Sequence, residues 1–255
     1  MTMHHSHKHT AARLLTLLAA IVICSLALTA TAGAASEAKI KIRVEGAKKT
    51  HFNGKVATGG GTVPGGTNSA NCPANTESNV FTKPNPLTAL VAAVGSNGLT
   101  TSGKQYGWGI MLCSVKGETV SDSEFSRSGG WLVRINQKDS TLPAGFATAT
   151  TDLKSGDSVL IFKSPGYGVL SSSLELTGPS KVKKGRKATF KVASYALAND
   201  VRTAGAGLKV KVGRYSGKTN SKGQVKIKLK KAGRFLARVS GPGAIRGTTW
   251  VTVKK

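Results

Sequence analysis

An α+β first half followed by an all-β second half is what this sequence predicts, and three observations carry that reading. The first is a pair of strands, Trp131-Leu-Val-Arg-Ile135 and Ser158-Val-Leu-Ile-Phe162. Both are apolar on nearly every residue rather than on alternate ones, as strands covered on two faces are. The second is one well-punctuated helix that begins at Asn85-Pro86. The third is the stretch from Leu174 onward, which holds six or so short strands and no helical period.

The chain has 255 residues, room for one or two domains. Residues 1–34 read as a secretory signal peptide: a polar start with Lys8 and Arg13, an apolar run over 14–28, then Ala30-Thr-Ala-Gly-Ala-Ala35. Cleavage is expected after Ala32 or Ala34. An uncleaved membrane anchor is the alternative, although the apolar run is short of the roughly 18 to 20 residues that spanning takes. Export predicts an extracellular protein, free or loosely associated with a bacterial cell wall. The histidines His4, His5, His7 and His9 would leave with the leader, so His51 alone remains and no His-based metal site is expected. Cys24 would leave as well, and the Ile23 before it is not the small residue that a lipoprotein signal carries.

In chain order the first domain, 35–163, opens with Ile40, Ile42 and Val44 alternating with Lys39, Lys41 and Arg43, a half-buried strand. Gly46 to Lys49 makes a turn, and Phe52, Gly54 and Val56 supply the inner face of a returning strand, which predicts a hairpin over 39–57. A loop rich in Gly, Asn, Thr and Pro follows over 59–83 and contains Cys72. Asn85 then caps a helix, Pro86 suits its first position, Leu87, Leu90, Val91 and Val94 keep helical spacing, and Gly95 ends it. Residues 108–115, with Cys113, form the next apolar strand. Cys72 and Cys113 are the cysteines left after cleavage; in an oxidising compartment they are expected to pair, with two free thiols as the alternative. Between the two apolar strands, 136–152 reads as one long polar loop, placed to form a binding rim. A hairpin, a helix and three more strands suggest one sheet wrapped around one helix, the β-grasp arrangement.

Residues 39–162 resemble a domain found in secreted bacterial proteins and, in animals, as the C-terminal β-domain of transcobalamin and intrinsic factor. The likeness is carried by Ile40-Lys-Ile-Arg-Val-Glu-Gly46, the helix around Leu87 to Val94, Tyr106-Gly-Trp-Gly109, Trp131-Leu-Val-Arg-Ile-Asn136 and Leu153-Lys-Ser-Gly-Asp-Ser-Val159. That family usually has Asn-Gly where this chain has Asn136-Gln137, and often aromatic residues at Leu160 and Ile161. The resemblance spans about half of the chain and implies a non-enzymatic β-grasp module. Cobalamin binding is not carried over, because it belongs to animal proteins with a large helical partner domain. A ligand groove, if this module has one, would be lined by Tyr106, Trp108, Trp131 and Phe146; the alternative is that these aromatics are ordinary core.

Residues 164–173, with Pro165, Gly166, Gly168 and three serines, read as a linker, and 174–255 as a second domain. Its strands and its Gly217-Lys-Thr-Asn-Ser-Lys-Gly223 turn resemble bacterial immunoglobulin-like and prealbumin-like modules, which implies a C-terminal β-sandwich. Formal charge divides the chain sharply. Residues 35–171 carry 14 Lys plus Arg against 9 Asp plus Glu, whereas 172–255 carry 21 against 2. Lys209 and Lys211 alternate with apolar residues on one strand, and Lys226, Lys228 and Lys230 on another. If those strands formed a hairpin, all five would share an anion-binding face; the alternative is a solubilising face that guards against edge pairing. Teichoic acid, acidic polysaccharide, anionic lipid and extracellular nucleic acid all fit as anionic partners, the first two being envelope polymers. Nucleic acid is disfavoured by export and by the few aromatics available for stacking on bases.

Catalytic signatures are missing from the sequence. Gly98-Leu-Thr-Thr-Ser-Gly-Lys-Gln105 nearly spells a phosphate loop, but Gln105 replaces the required Ser or Thr and the segment follows a helix. There is no Gly-x-Ser-x-Gly, no Cys-x-x-Cys and no paired carboxylates, so neither an enzyme nor a cofactor is expected. The sequence therefore predicts a secreted two-domain binding or adhesion protein retained at the envelope by its basic half, or else an extracellular small-molecule carrier.

Overall fold

The computed structural model describes residues 37–65, 78–101, 110–121, 123, 129–143, 151–166 and 169–255, with side chains left out over 139–143. The first half runs β1 (Ala38–Glu45), β2 (Thr50–Thr58), β3 (Gly61–Val63), β4 (Asn79–Phe81), the helix Pro86–Val94, β5 (Leu99–Thr101), β6 (Leu112–Val115), β7 (Glu118–Thr119), β8 (Gly130–Ile135), β9 (Lys138–Pro143) and β10 (Ser158–Ser164). Its main sheet has the order β2-β1-β10-β8-β9, with β1 parallel to β10 and the other pairs antiparallel. Strands β3 and β4 make one small sheet, and β5, β6 and β7 another.

The expected α+β class, with a sheet wrapped around a helix, is corrected by this architecture. The molecule is mostly β, and its one α-helix among the described residues is nine residues long. That helix packs chiefly on β2, β3 and β1, towards one edge of the main sheet, and the remaining strands are divided among separate sheets. The strand of Cys113 belongs to the three-stranded sheet and not to the main one. A second correction concerns the long polar loop. Asn136 and Gln137 both take positive φ, 54° and 61°, and turn the chain directly from β8 into β9. Such a two-residue turn matches the twist of a hairpin, but it usually announces itself with glycine, which is why Asn-Gln concealed it.

Packing explains why β8 and β10 are apolar on both faces over most of their length. Ile40, Ile42, Val44, Trp131, Val133, Val159 and Ile161 point to one face and join Leu87, Ala89 and Leu90 of the helix in the first core. The other face carries Leu160 and Phe162, which pack with Ile245 of the second half. Arg43 and Glu45 lie on this second face. Alternation groups Arg43 with Lys39 and Lys41 on the polar side of the strand, yet Arg43 and Glu45 are buried, at 7% and 2% exposure, because another layer covers them.

The second half continues with β11 (Ser172–Thr177), β12 (Lys181–Lys183), β13 (Lys187–Ala196), β14 (Arg202–Ala204), β15 (Lys209–Val212), β16 (Tyr215–Lys218), β17 (Gln224–Lys228), β18 (Gly233–Val239), β19 (Ala244–Ile245) and β20 (Gly247–Lys254). One sheet has the order β14-β13-β11-β19, with β17 also paired to β13; the other runs β12-β20-β18-β15-β16. Their inner faces share a core built on Leu174, Leu176, Phe190, Val210, Val212, Ile227, Leu229, Val251 and Val253. This two-layer stack is sandwich-like. Among the described residues, no sheet mixes strands β1–β10 with strands of the second half. Residues 36–255 nevertheless form one compact unit.

Candidate functional site

Among the described residues, three places bring polar chemistry together: the outer faces of the second half, the clamp around His51, and the junction between the halves.

On the outer faces the structure rearranges the five lysines. Strand β17 pairs with β13, and β15 pairs with β16 and β18, so the two lysine-bearing strands are not a hairpin and lie in different sheets. Lys226 and Lys228 share their face with Lys187 and Lys191 instead, Lys187 standing opposite Lys228. Lys230 is exposed just beyond the end of β17. Lys209 and Lys211 belong to the other face, where Lys209 stands opposite Lys218 and Lys211 opposite Arg238. On the same sheet the Arg234 guanidinium lies 4.3 Å above the Trp250 ring, a pairing the sequence reading missed because the two residues meet across β18 and β20. Both acids of this half are engaged. Glu175 Oε2 accepts the Tyr195 hydroxyl at 3.0 Å, and Asp200 pairs with Arg134 at 2.5 Å. Burial raises the Tyr195 hydroxyl above its ordinary range.

Of the aromatic residues expected to line a groove, Tyr106, Trp108 and Phe146 lie outside the described residues. Trp131 is core, 2% exposed, with its Nε1 donating to the Glu118 carbonyl at 3.1 Å. That carbonyl is one part of a clamp. The Glu118 carboxylate accepts from His51 Nε2 at 2.9 Å and from the Ala47 amide at 2.8 Å, which fastens the turn of β7 to the β1–β2 hairpin. The arrangement holds Glu118 on both oxygens and so accounts for His51 structurally. Cys113 is buried in β6 and is disulfide-bonded. Its partner lies outside the described residues, as does Cys72.

The chain matches no protein-family model, no curated protein and no solved structure. What it can do is therefore argued from its own geometry.

That geometry is richest at the junction. Glu45, on β1, receives Arg246 Nε at 2.8 Å, the Thr50 hydroxyl at 2.9 Å and the Thr248 hydroxyl at 3.2 Å, and Arg246 also donates to the Gly46 carbonyl. Asn53 Nδ2 donates to the Thr248 carbonyl at 2.8 Å, and Trp250 Nε1 to the Asn53 carbonyl at 3.1 Å. At the other end Arg134 reaches Asp200 and the Gln137 carbonyl, while the Ser173 hydroxyl donates to Gln137 Oε1 at 3.0 Å. Arg43 lies 3.5 Å from Glu45, and burial lowers its affinity for its proton, offset in part by Glu45 and Glu175. Two clefts open here. One, of about 250 Å³, has Phe162, Leu170 and Ile245 in its lining with Glu45, Lys163 and Arg246; the other, of about 30 Å³, is lined by Arg43 and Arg134 among others. Sequence reasoning did not find the pairs Glu45–Arg246 and Arg134–Asp200, because 201 and 66 residues separate their members and no local pattern links them.

Proposed function

We propose that this chain is a secreted, non-enzymatic binding or adhesion protein, held at the cell envelope by electrostatic attraction between its basic second half and an anionic polymer such as teichoic acid or acidic polysaccharide. The observation that carries the reading is the segregation of charge. Lys187, Lys191, Lys226 and Lys228 project from one outer face, and Lys209, Lys211, Lys218 and Arg238 from the other, all exposed. The two carboxylates of this half are bonded to Tyr195 and Arg134 instead. Like charges directly opposite one another destabilise a sheet, and an anionic chain laid across them relieves that repulsion.

Salt decides the matter. Cells carrying the protein are washed with increasing sodium chloride and the fractions are blotted. Release is expected well below about 1 M, where the screening length shrinks to ~3 Å. Combined Lys→Gln substitutions at 187, 191, 226 and 228 are expected to move release to lower salt. Retention of the wild-type protein at that concentration overturns the proposal.

The cleft of about 250 Å³ supports a second reading, a small-molecule carrier, since apolar walls with a few polar groups suit an organic ligand. Thermal shifts against a metabolite panel, compared between the wild type and Phe162→Ala, distinguish the two. A blank panel counts against the carrier and leaves the envelope reading untouched.

A further inference from the structure

Arg43, Leu160 and Arg134 stand in one row across β1, β10 and β8, because Arg43 pairs with Leu160 and Leu160 with Arg134. The row lies on the covered face of the main sheet, where Arg43 is 7% exposed and Arg134 is fully buried. Both line the cleft of about 30 Å³, which Glu175 and Thr248 of the second half help to close and which Lys41 also borders. Nε and Nη2 of Arg43 and Nε and Nη1 of Arg134 are buried without a hydrogen-bond partner. The carboxylates nearby are already engaged: Glu45 by Arg246, Thr50 and Thr248, with its Oε1 also 3.5 Å from Arg43 Nε, Asp200 by Arg134 Nη2, and Glu175 by Tyr195. Guanidinium nitrogens only donate, so Nη2 of Arg43 and Nε and Nη1 of Arg134 remain as three buried donors, on two residues that line the cleft, with no protein acceptor.

Charge and size narrow what belongs there. Lys41, Arg43 and Arg134 line the cleft against one carboxylate, Glu175, so its lining is net positive. A water-sized probe occupies roughly 10 to 15 Å³ on the same measure, so the cleft admits a group of two or three heavy atoms and excludes a sugar ring. We propose that it binds a small monovalent anion, a halide or a single carboxylate group, between the guanidiniums of Arg43 and Arg134. The bound anion satisfies the buried donors and, since both halves line the cleft, strengthens their docking. This site is independent of the outer basic faces, and its failure would leave the envelope reading standing.

Crystals of the secreted chain soaked in sodium bromide test it, with an anomalous difference peak expected within hydrogen-bond distance of both guanidiniums. A parallel soak in 4-bromobenzoate separates a free ion from the carboxylate of a larger ligand. Its carboxylate would enter the cleft and its bromine would appear at the mouth beside Lys41. Arg43→Gln is expected to lower bromide affinity about tenfold, the worth of one charge-assisted contact. If that variant fails to fold, the wild-type soaks still decide. A peak in either soak supports the site. Water alone in the cleft, or bromide found only elsewhere on the surface, overturns it.

Discussion

At the start of the helix, Asn85 Oδ1 accepts the amides of Leu87 at 2.9 Å and Thr88 at 3.0 Å, and the Thr88 hydroxyl oxygen accepts the Asn85 amide at 3.0 Å. All of this is buried, so no water replaces a lost partner. Asn85→Ala is therefore expected to cost about 1 to 2 kcal/mol, seen as a lower denaturant midpoint at unchanged slope. This cap was legible because Asn-Pro followed by helical spacing is a local signal. Cys113 gives the second prediction at this scale. We expect its partner to be Cys72, the other cysteine outside the proposed leader. Intact mass of the secreted, non-reduced monomer should be two hydrogens lighter than after reduction, with peptide mapping joining Cys72 to Cys113. Two free thiols or a cross-linked dimer would contradict the assignment.

Between elements, the informative contact is β13 against β17. Lys187 faces Lys228 there, and Thr189 faces Lys226. Lys228→Glu turns a repulsive pair into an attractive one and should raise stability by about 0.2 to 1 kcal/mol. The same change should weaken retention on the anionic envelope, so the melting temperature and the salt needed for release are expected to move in opposite directions. A variant that loses both stability and retention would mean that Lys228 serves packing instead. Alternation along each strand was legible from Lys and apolar residues taking turns. Pairing was not, because β15 and β17 are close in sequence yet choose partners in different layers.

For the whole molecule, the junction makes the halves interdependent. Glu45 is 2% exposed and its strongest cationic contact is Arg246, far along the chain. Arg246→Ala leaves that carboxylate buried beside a single guanidinium, that of Arg43, at 3.5 Å, and a loss of about 3 kcal/mol is expected from chemical unfolding. Because the halves share Leu160, Phe162 and Ile245 as well, residues 36–255 should unfold in one transition, coincident by tryptophan fluorescence and by circular dichroism. Two separated transitions would show that the junction couples the halves weakly.

Taken alone, the sequence determined the elements whose cause is local. These are the helix set by Asn85, Pro86 and Gly95, the alternation of β1, the double-faced burial of β8 and β10, and the crowding of basic residues after residue 171. Only the tertiary structure decided what covers the second face of the main sheet, and with it the fates of Arg43, Glu45 and Arg134. Periodicity tells which side chains share a face, but it cannot tell whether that face meets water or another layer. A charged residue on the polar side of a strand reads the same in both cases, and only the arrival of β11, β19 and β20 turns it into a buried group in need of a partner.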